Sequence, residues 1–385
     1  MLALTTLTAA ASAQTTPPAS DSASTPQSQP GAGDSASKPA APVPNFFRDI
    51  QANAFASLGY ISNLNMPQDQ LNGLRYFDSR ANTFSVDLAE LVVQKAVAKA
   101  GDAGFRIDLT AGTFAGATQS SGLRLGDNAD LQQAFASYIA PLGTGLRFDV
   151  GKFVTHMGYE LIEGYDGYND NYSRSLLFNF AIPLTHTGVK ASYAPSSKVS
   201  LMAMVVNGWD DAIDNNASKS VGAQLMVKPI DPVALYVNYI GGPENADDNH
   251  SIRQVVDLVG TLTVSPTLSL GVNADFGTED GTSLVTPGED ATWNGVAGYA
   301  KIGTASPFSL GLRAETFKDN GGTRLGIVEA RVNEFTVTPA FKFGSNFVVR
   351  AEGRYDTSDS APFVDDKGIS KKNQATVGLN AIWVY

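Results

Sequence analysis

Phe105-Arg106-Ile107-Asp108-Leu109-Thr110-Ala111-Gly112-Thr113 changes polarity at nearly every step. Phe105, Ile107, Leu109 and Ala111 fall on one face of an extended chain, and Arg106, Asp108, Thr110 and Gly112 on the other. Successive side chains of a strand point to opposite faces, so a period of two reads as a strand with one apolar face. The pattern recurs along the chain. Leu146, Phe148 and Val150 oppose Arg147, Asp149 and Gly151, while Phe347, Val349, Ala351 and Tyr355 oppose Val348, Arg350, Glu352, Arg354 and Asp356. Val221–Val227, Leu268–Phe276 and Phe308–Thr316 alternate likewise, and no stretch carries a convincing helical period. In Leu88–Val97 the apolar phase slips by one between Leu88 and Leu91, as a β-bulge would cause.

The connections between these strands fall into two kinds. Seven are short and built from Gly, Pro, Asn, Asp or Ser: Lys99–Gly104, Pro141–Gly145, Pro195–Lys198, Pro229–Pro232, Ser265–Thr267, Thr304–Ser306 and Gly344–Asn346. Eight are longer and polar: Leu64–Arg80, Ala115–Asp130, Thr155–Thr185, Asn207–Ser218, Gly242–Ser251, Thr278–Asp290, Lys318–Thr323 and Thr357–Lys372. They alternate, which predicts sixteen strands with both chain ends on the short-turn side. An even strand number with short turns at one rim and long loops at the other is the organisation of a transmembrane β-barrel. The expected fold is therefore all-β, a sixteen-stranded antiparallel up-and-down barrel. A soluble sandwich would not segregate loop lengths in this way and would bury its apolar face against a second sheet.

Composition agrees. The 385 residues include no Cys and only three His, charged residues make up 17%, and the formal net charge is −11. Disulfide scaffolds, thiolate metal sites and Cys nucleophiles are excluded. The acidic balance argues against nucleic acid. No apolar run approaches the ~18–20 residues of a membrane helix, whereas a barrel strand needs only ~9–11 residues of alternating polarity. Phe105, Ile107, Leu109, Phe148, Leu310, Leu312 and Val349 are expected to face lipid. Arg106, Asp108, Arg147, Asp149, Arg313, Arg350, Glu352 and Arg354 are expected to face the lumen.

Residues 1–13 are small and apolar and end Ala11-Ser12-Ala13, the pattern of a secretory cleavage site, although no Lys or Arg precedes the apolar part. Residues 14–44 are Ser, Pro, Ala, Gln and Gly with three charges, a composition that reads as a disordered linker. The barrel is assigned to residues 45–385; setting aside Asp21, Asp34 and Lys38 leaves it a net charge of −10. Val377, Leu379, Ala381, Trp383 and Tyr385 share one face of the last strand, which ends in an aromatic carboxy-terminus. Such strands resemble the signal read by the outer-membrane assembly machinery, an expected partner.

Three segments resemble the OmpL-like β-barrel porins of bacterial outer membranes. They are Val150-Gly151-Lys152-Phe153 with Gly158-Tyr159-Glu160; Asn171-Tyr172-Ser173-Arg174-Ser175-Leu176-Leu177-Phe178 with Pro183, His186, Thr187 and Gly188; and Val206-Asn207-Gly208-Trp209-Asp210 with Asn215-Asn216. The resemblance implies an integral outer-membrane protein in lipid that passes small hydrophilic solutes or ions; no cofactor is assigned. Sixteen-stranded porins are habitually trimers, so a homotrimer is a further expectation. By analogy with general porins, the third long loop, Thr155–Thr185, folds inward and narrows the lumen. Its candidate constriction residues are Glu160, Glu163, Asp166 and Asp170, with Arg174 and His186 at its return. Acids on the loop opposite Arg on the wall would set a transverse field across a narrow water path. The fork of Arg174 suits a bidentate pair with a lumenal carboxylate, pinning the loop to the wall.

Other chemistries are weaker. Trp209-Asp210-Asp211-x-x-Asp214-Asn215-Asn216 is oxygen-rich but lacks the Gly and terminal Glu of a calcium loop. Turn chemistry accounts for it, with Trp209 a candidate for the aromatic girdle. Ser173, His186 and Asp170 could be drawn as a triad, but no G-x-S-x-G elbow surrounds Ser173, and the chain is not read as an enzyme. His156 and His186 lack a nearby third ligand, so no metal site is assigned. The expected function is a diffusion porin; the alternative is a non-conducting adhesion or scaffolding barrel acting through its loops. Acids at the outer rim, and Glu160, Glu163 and Asp166 if they enter the waist, predict weak cation selectivity.

Overall fold

The computed structural model describes residues 49–303, 306–327 and 329–385. The signal segment, the linker and the first residues of the assigned barrel lie outside the described residues, as do Thr304 and Ala305 of one expected turn. The strands are β1 (Gln51–Asn63), β2 (Thr83–Lys95), β3 (Ala103–Ala111), β4 (Ala129–Ala140), β5 (Leu146–Val154), β6 (Thr185–Ser196), β7 (Val199–Val206), β8 (Ser220–Val227) and β9 (Val233–Pro243). They continue as β10 (Ile252–Ser265), β11 (Leu268–Glu279), β12 (Ala291–Ile302), β13 (Phe308–Asp319), β14 (Ala330–Phe343), β15 (Phe347–Ser358), β16 (Phe363–Val364), β17 (Ser370–Lys371) and β18 (Asn373–Val384).

Among the described residues, β1–β15 and β18 form one closed barrel of sixteen strands in which every neighbour is antiparallel. The two-residue strands β16 and β17 pair as a small hairpin in the last long loop. Closure is made by β1 against β18, from Phe55 opposite Val384 to Asn63 opposite Thr376. Closure is obligatory in lipid, where an open edge would leave backbone groups without partners. The barrel strands alternate short turns with long loops, the longest covering 155–184.

The alternation sorts the two faces. Ile107 and Leu109 are 38% and 43% exposed, while Arg106 and Asp108, which alternate with them, are buried. The phase slip in β2 is a bulge, placed at Asp87 rather than beyond Leu88. Ser57 faces Leu88 and Leu58 faces Val86, so Asp87 is the extra residue. The bulge turns Asp87 and Leu88 both inward, and both are buried. Aromatic side chains at the short-turn rim, Phe341, Phe343, Phe347, Trp383 and Tyr385, are exposed outward, as an interfacial girdle requires.

Candidate functional site

The loop between β5 and β6, residues 155–184, runs inside the barrel, and from Asn171 onward it is buried throughout. Its sequence explains why it stays there. Leu176, Leu177, Phe178, Phe180, Ala181, Ile182 and Leu184 are apolar and join one cluster with Phe77 and Phe114 of the first two long loops and Trp293 and Phe317 of the wall. An irregular segment brings a difficulty into such a core, because each residue carries an N–H and a C=O that must find partners. One π-turn, Leu177–Ala181, satisfies little of this locally.

The loop's own side chains supply some of the rest, as Glu160 does for Ser175 N, and the charged wall supplies much of it. Carboxylates accept the loop's N–H groups. Asp257 takes Gly158 N at 2.9 Å, Glu90 takes Tyr165 N at 2.6 Å, and Glu352 takes Tyr172 N and Ser173 N at 2.6 and 3.0 Å. Glu315 takes Leu176 N and Leu177 N at 2.6 and 3.2 Å. Guanidiniums donate to its carbonyls: Arg313 to Ser173 O, Arg350 to Asn169 O and Asn171 O, and Arg354 to Arg174 O. The indole of Trp293 donates to Ala181 O at 3.0 Å. Wall glycine makes room as well, since a Cβ on Gly59 would lie 1.9 Å from the Tyr172 hydroxyl that donates to Asp87.

The sequence candidates divide into three groups. Glu160 pairs with Arg313 at 2.6 Å, and Glu163 with Arg350 at 2.9 Å and Arg174 at 3.2 Å; all five side chains are buried. Burial alone would raise the Glu163 carboxyl, but Arg174 and Arg350 outweigh it and hold it below the usual carboxylate range. Glu160 and Glu163 therefore anchor the loop and do not present charge to a water path, which corrects the expectation that they set the waist field. Asp166 pairs with Arg106 at 2.8 Å and keeps a side chain 48% exposed, and Asp170 pairs with the partly exposed Lys301. These two acids do reach water. Arg174 differs from expectation too. Its carboxylate partner, Glu163, lies on the loop itself, and its guanidinium rests 5.3 Å from the Phe77 ring centroid and 5.8 Å from that of Phe114. Arg313, Arg350 and Arg354 do the pinning instead.

On the wall, Arg106 also holds Asp108 at 2.8 Å, Arg147 holds Asp149 at 2.9 Å, and Arg354 holds Asp356 at 2.8 Å. His186 is buried, within 3.2 Å of Gly208 O and 3.3 Å of the Thr155 hydroxyl. Its ring lies 6.2 Å from that of His156, which burial pushes down to about 3, the neighbouring His186 adding to the shift. The drawn triad is not assembled. The Ser173 hydroxyl accepts from Arg313 and Arg354, while Asp170 is held by Lys301. Trp209 is not a girdle residue; it is buried against Trp293, their ring centroids 6.2 Å apart, with Arg253 and Arg324 over its face. Sequence reasoning missed Asp87, Glu90, Asp257 and Glu315 as loop acceptors. Extending the same alternation to every strand acid would have found Asp257 and Glu315, while the bulge hid the inward phase of Asp87 and Glu90.

A closed sixteen-stranded barrel with an apolar outer band, an aromatic girdle and a loop folded into its lumen is an integral outer-membrane barrel of the porin class. The chain belongs to the family described as "putative beta-barrel porin-2, OmpL-like", whose model matches residues 49–384. Among solved structures it is similar to an anion-selective porin from Comamonas acidovorans (8% identity, 87% of this chain and 100% of that one, TM-score 0.60). It is also similar to the outer membrane channel DcaP of Acinetobacter baumannii (10% identity, 87% and 97%, TM-score 0.60). A third is the trimer form of OmpT, an outer membrane protein of Vibrio cholerae (11% identity, 87% and 99%, TM-score 0.54). At these identities the likeness is one of fold. No curated protein matches the chain.

Proposed function

We propose that the protein is a diffusion porin for small hydrophilic solutes and ions, with a narrow path set by loop 155–184. The observation that carries this reading is the position of the loop, held inside the barrel by side chains from β2, β3 and β10–β15. The water-reaching charges Asp166, Asp170, Lys301 and Arg147 line the part of the lumen it leaves. The family and the porin fold neighbours support a channel over an enzyme. The trimer form of the Vibrio neighbour supports a homotrimer here, and the exposed outer face of β18 supports recognition by the assembly machinery.

A second reading has its own observation. The apolar cluster from Phe77 through Leu176, Leu177 and Phe178 to Trp293 is buried inside the barrel and joins the lumenal loop to the first long loop and the wall. That packing favours a silent barrel whose outer loops bind a partner. Planar-bilayer recording separates the two. Stepwise openings from the purified barrel support the porin, and a folded barrel that stays silent supports the alternative.

A further inference from the structure

Beside Thr155 N on Leu184 O and the Ser120 hydroxyl on that of Thr185, the C-terminal root of the lumenal loop is held by a short segment, Asn207–Ala212, in the loop between β7 and β8. Asp210 accepts Leu184 N at 2.9 Å and Thr185 N at 2.7 Å on its carboxylate, and its own N–H donates to Thr185 O. Its carbonyl takes Ser121 N at 2.6 Å, and Ala212 N returns to Ser121 O at 2.9 Å. Trp209 N donates to Glu244 Oε2 at 2.7 Å, and the Ser220 hydroxyl donates to Glu244 Oε1. The segment thus ties together the root of the lumenal loop, the β3–β4 loop and the outer end of β9. Asp211 and Glu244 are both buried and lean over the same glycine. A Cβ on Gly208 would sit 2.6 Å from Glu244 Oε2 and 3.1 Å from Asp211 Oδ2.

The charges around this pair do little to neutralise it. Arg253 of β10 acts on both, but it is paired with Glu279 at 2.6 Å and stacked on Trp209. On their own loop stand Asp210 and Asp214, the latter paired with Lys219. Arg324, on the β13–β14 loop, and Lys152 of β5 act on Asp210, and His186 of β6 faces Gly208 O.

We propose that Asn207–Ala212 is a proton-operated latch on the root of the lumenal loop, closed when Asp211 and Glu244 are protonated and loosened when both are charged. This rests on the reading of loop 155–184 as the element that sets the lumen. Burial pushes Asp211 up to about 6 and Glu244 up to about 7, only partly countered by Ser121 on Asp211 and by Ser220 and Trp209 on Glu244. Both groups are raised in the closed state. Their contribution to closure is therefore fully present below the ordinary carboxylate range and is lost as pH rises through about 6 and then about 7.

Amide hydrogen exchange on the whole barrel in detergent, at about pH 5.5 and about pH 8 and corrected for intrinsic rates, tests this. Residues 118–123 and 207–214 should open roughly tenfold more often at the higher pH, while β13 stays unchanged. In the double variant Asp211→Asn, Glu244→Gln that difference should vanish. Equal protection of the wild type at both pH values would overturn the latch, and this comparison stands even where the variant fails to fold. A pH difference that persists in the folded double variant would overturn it too. Exchange is read whether or not the barrel conducts. A silent bilayer beside pH-dependent exchange would sink the porin reading and leave the latch standing.

Discussion

Glu163 shows what a lumenal charge does in this protein. Its carboxylate is buried between Arg350 and Arg174 and also takes Asn169 N at 3.0 Å. Removing one partner of a buried pair strands the other, which costs about 3–5 kcal/mol. Glu163→Ala should lower stability by that amount in urea unfolding from lipid vesicles, and a variant as stable as the parent would refute the anchoring role. The pH dependence has the opposite sign to the latch. Because Glu163 is held below its ordinary range, its stabilisation is present above that range and is lost as pH falls through the depressed value. Wild type should therefore lose stability in acid more steeply than Glu163→Ala.

At the level of elements, strands and loop make separate predictions. Leu312 sits mid-strand in β13 on the face opposite Arg313, so Leu312→Arg should cost ~2–4 kcal/mol in the same unfolding assay. Unaltered stability would mean that this face does not meet lipid. The loop depends on acceptors it does not carry. Glu315→Ala strands Leu176 N and Leu177 N, and Glu352→Ala strands Tyr172 N and Ser173 N. Each buried N–H left without a partner costs about 1–3 kcal/mol. Both variants should speed hydrogen exchange across residues 172–178, and protection equal to wild type there would show that the wall acids do not hold the loop.

For the whole molecule, the question is which charges an ion meets. Glu160 and Glu163 are neutralised in buried pairs, whereas Asp166 and Asp170 touch water. Reversal potentials in a salt gradient should shift toward anions in Asp166→Asn and Asp170→Asn. They should stay put in Glu160→Gln barrels that still fold. The shift should shrink at high salt, because exposed charges are screened beyond ~8–10 Å at physiological ionic strength. An equal shift from Glu160→Gln would put that carboxylate back on the water path.

The sequence by itself determined the barrel. Alternation is a local property of an extended chain in contact with lipid on one side. Phe105–Thr113, together with the regular exchange of short turns and long loops, was enough to count sixteen strands and to choose their inner face. Even the bulge at Asp87 left its mark as a phase slip. Only the tertiary structure decided what the inner charges are for. Whether Glu160, Glu315 or Arg350 lines water or serves a buried backbone depends on which residues, distant in the chain, meet across the lumen. That meeting is decided by the path of loop 155–184, which follows no period. The same holds for Trp209, Asp211 and Glu244. They read as loop residues until three loops close over them, and burial then gives them partners and proton affinities that no spacing encodes.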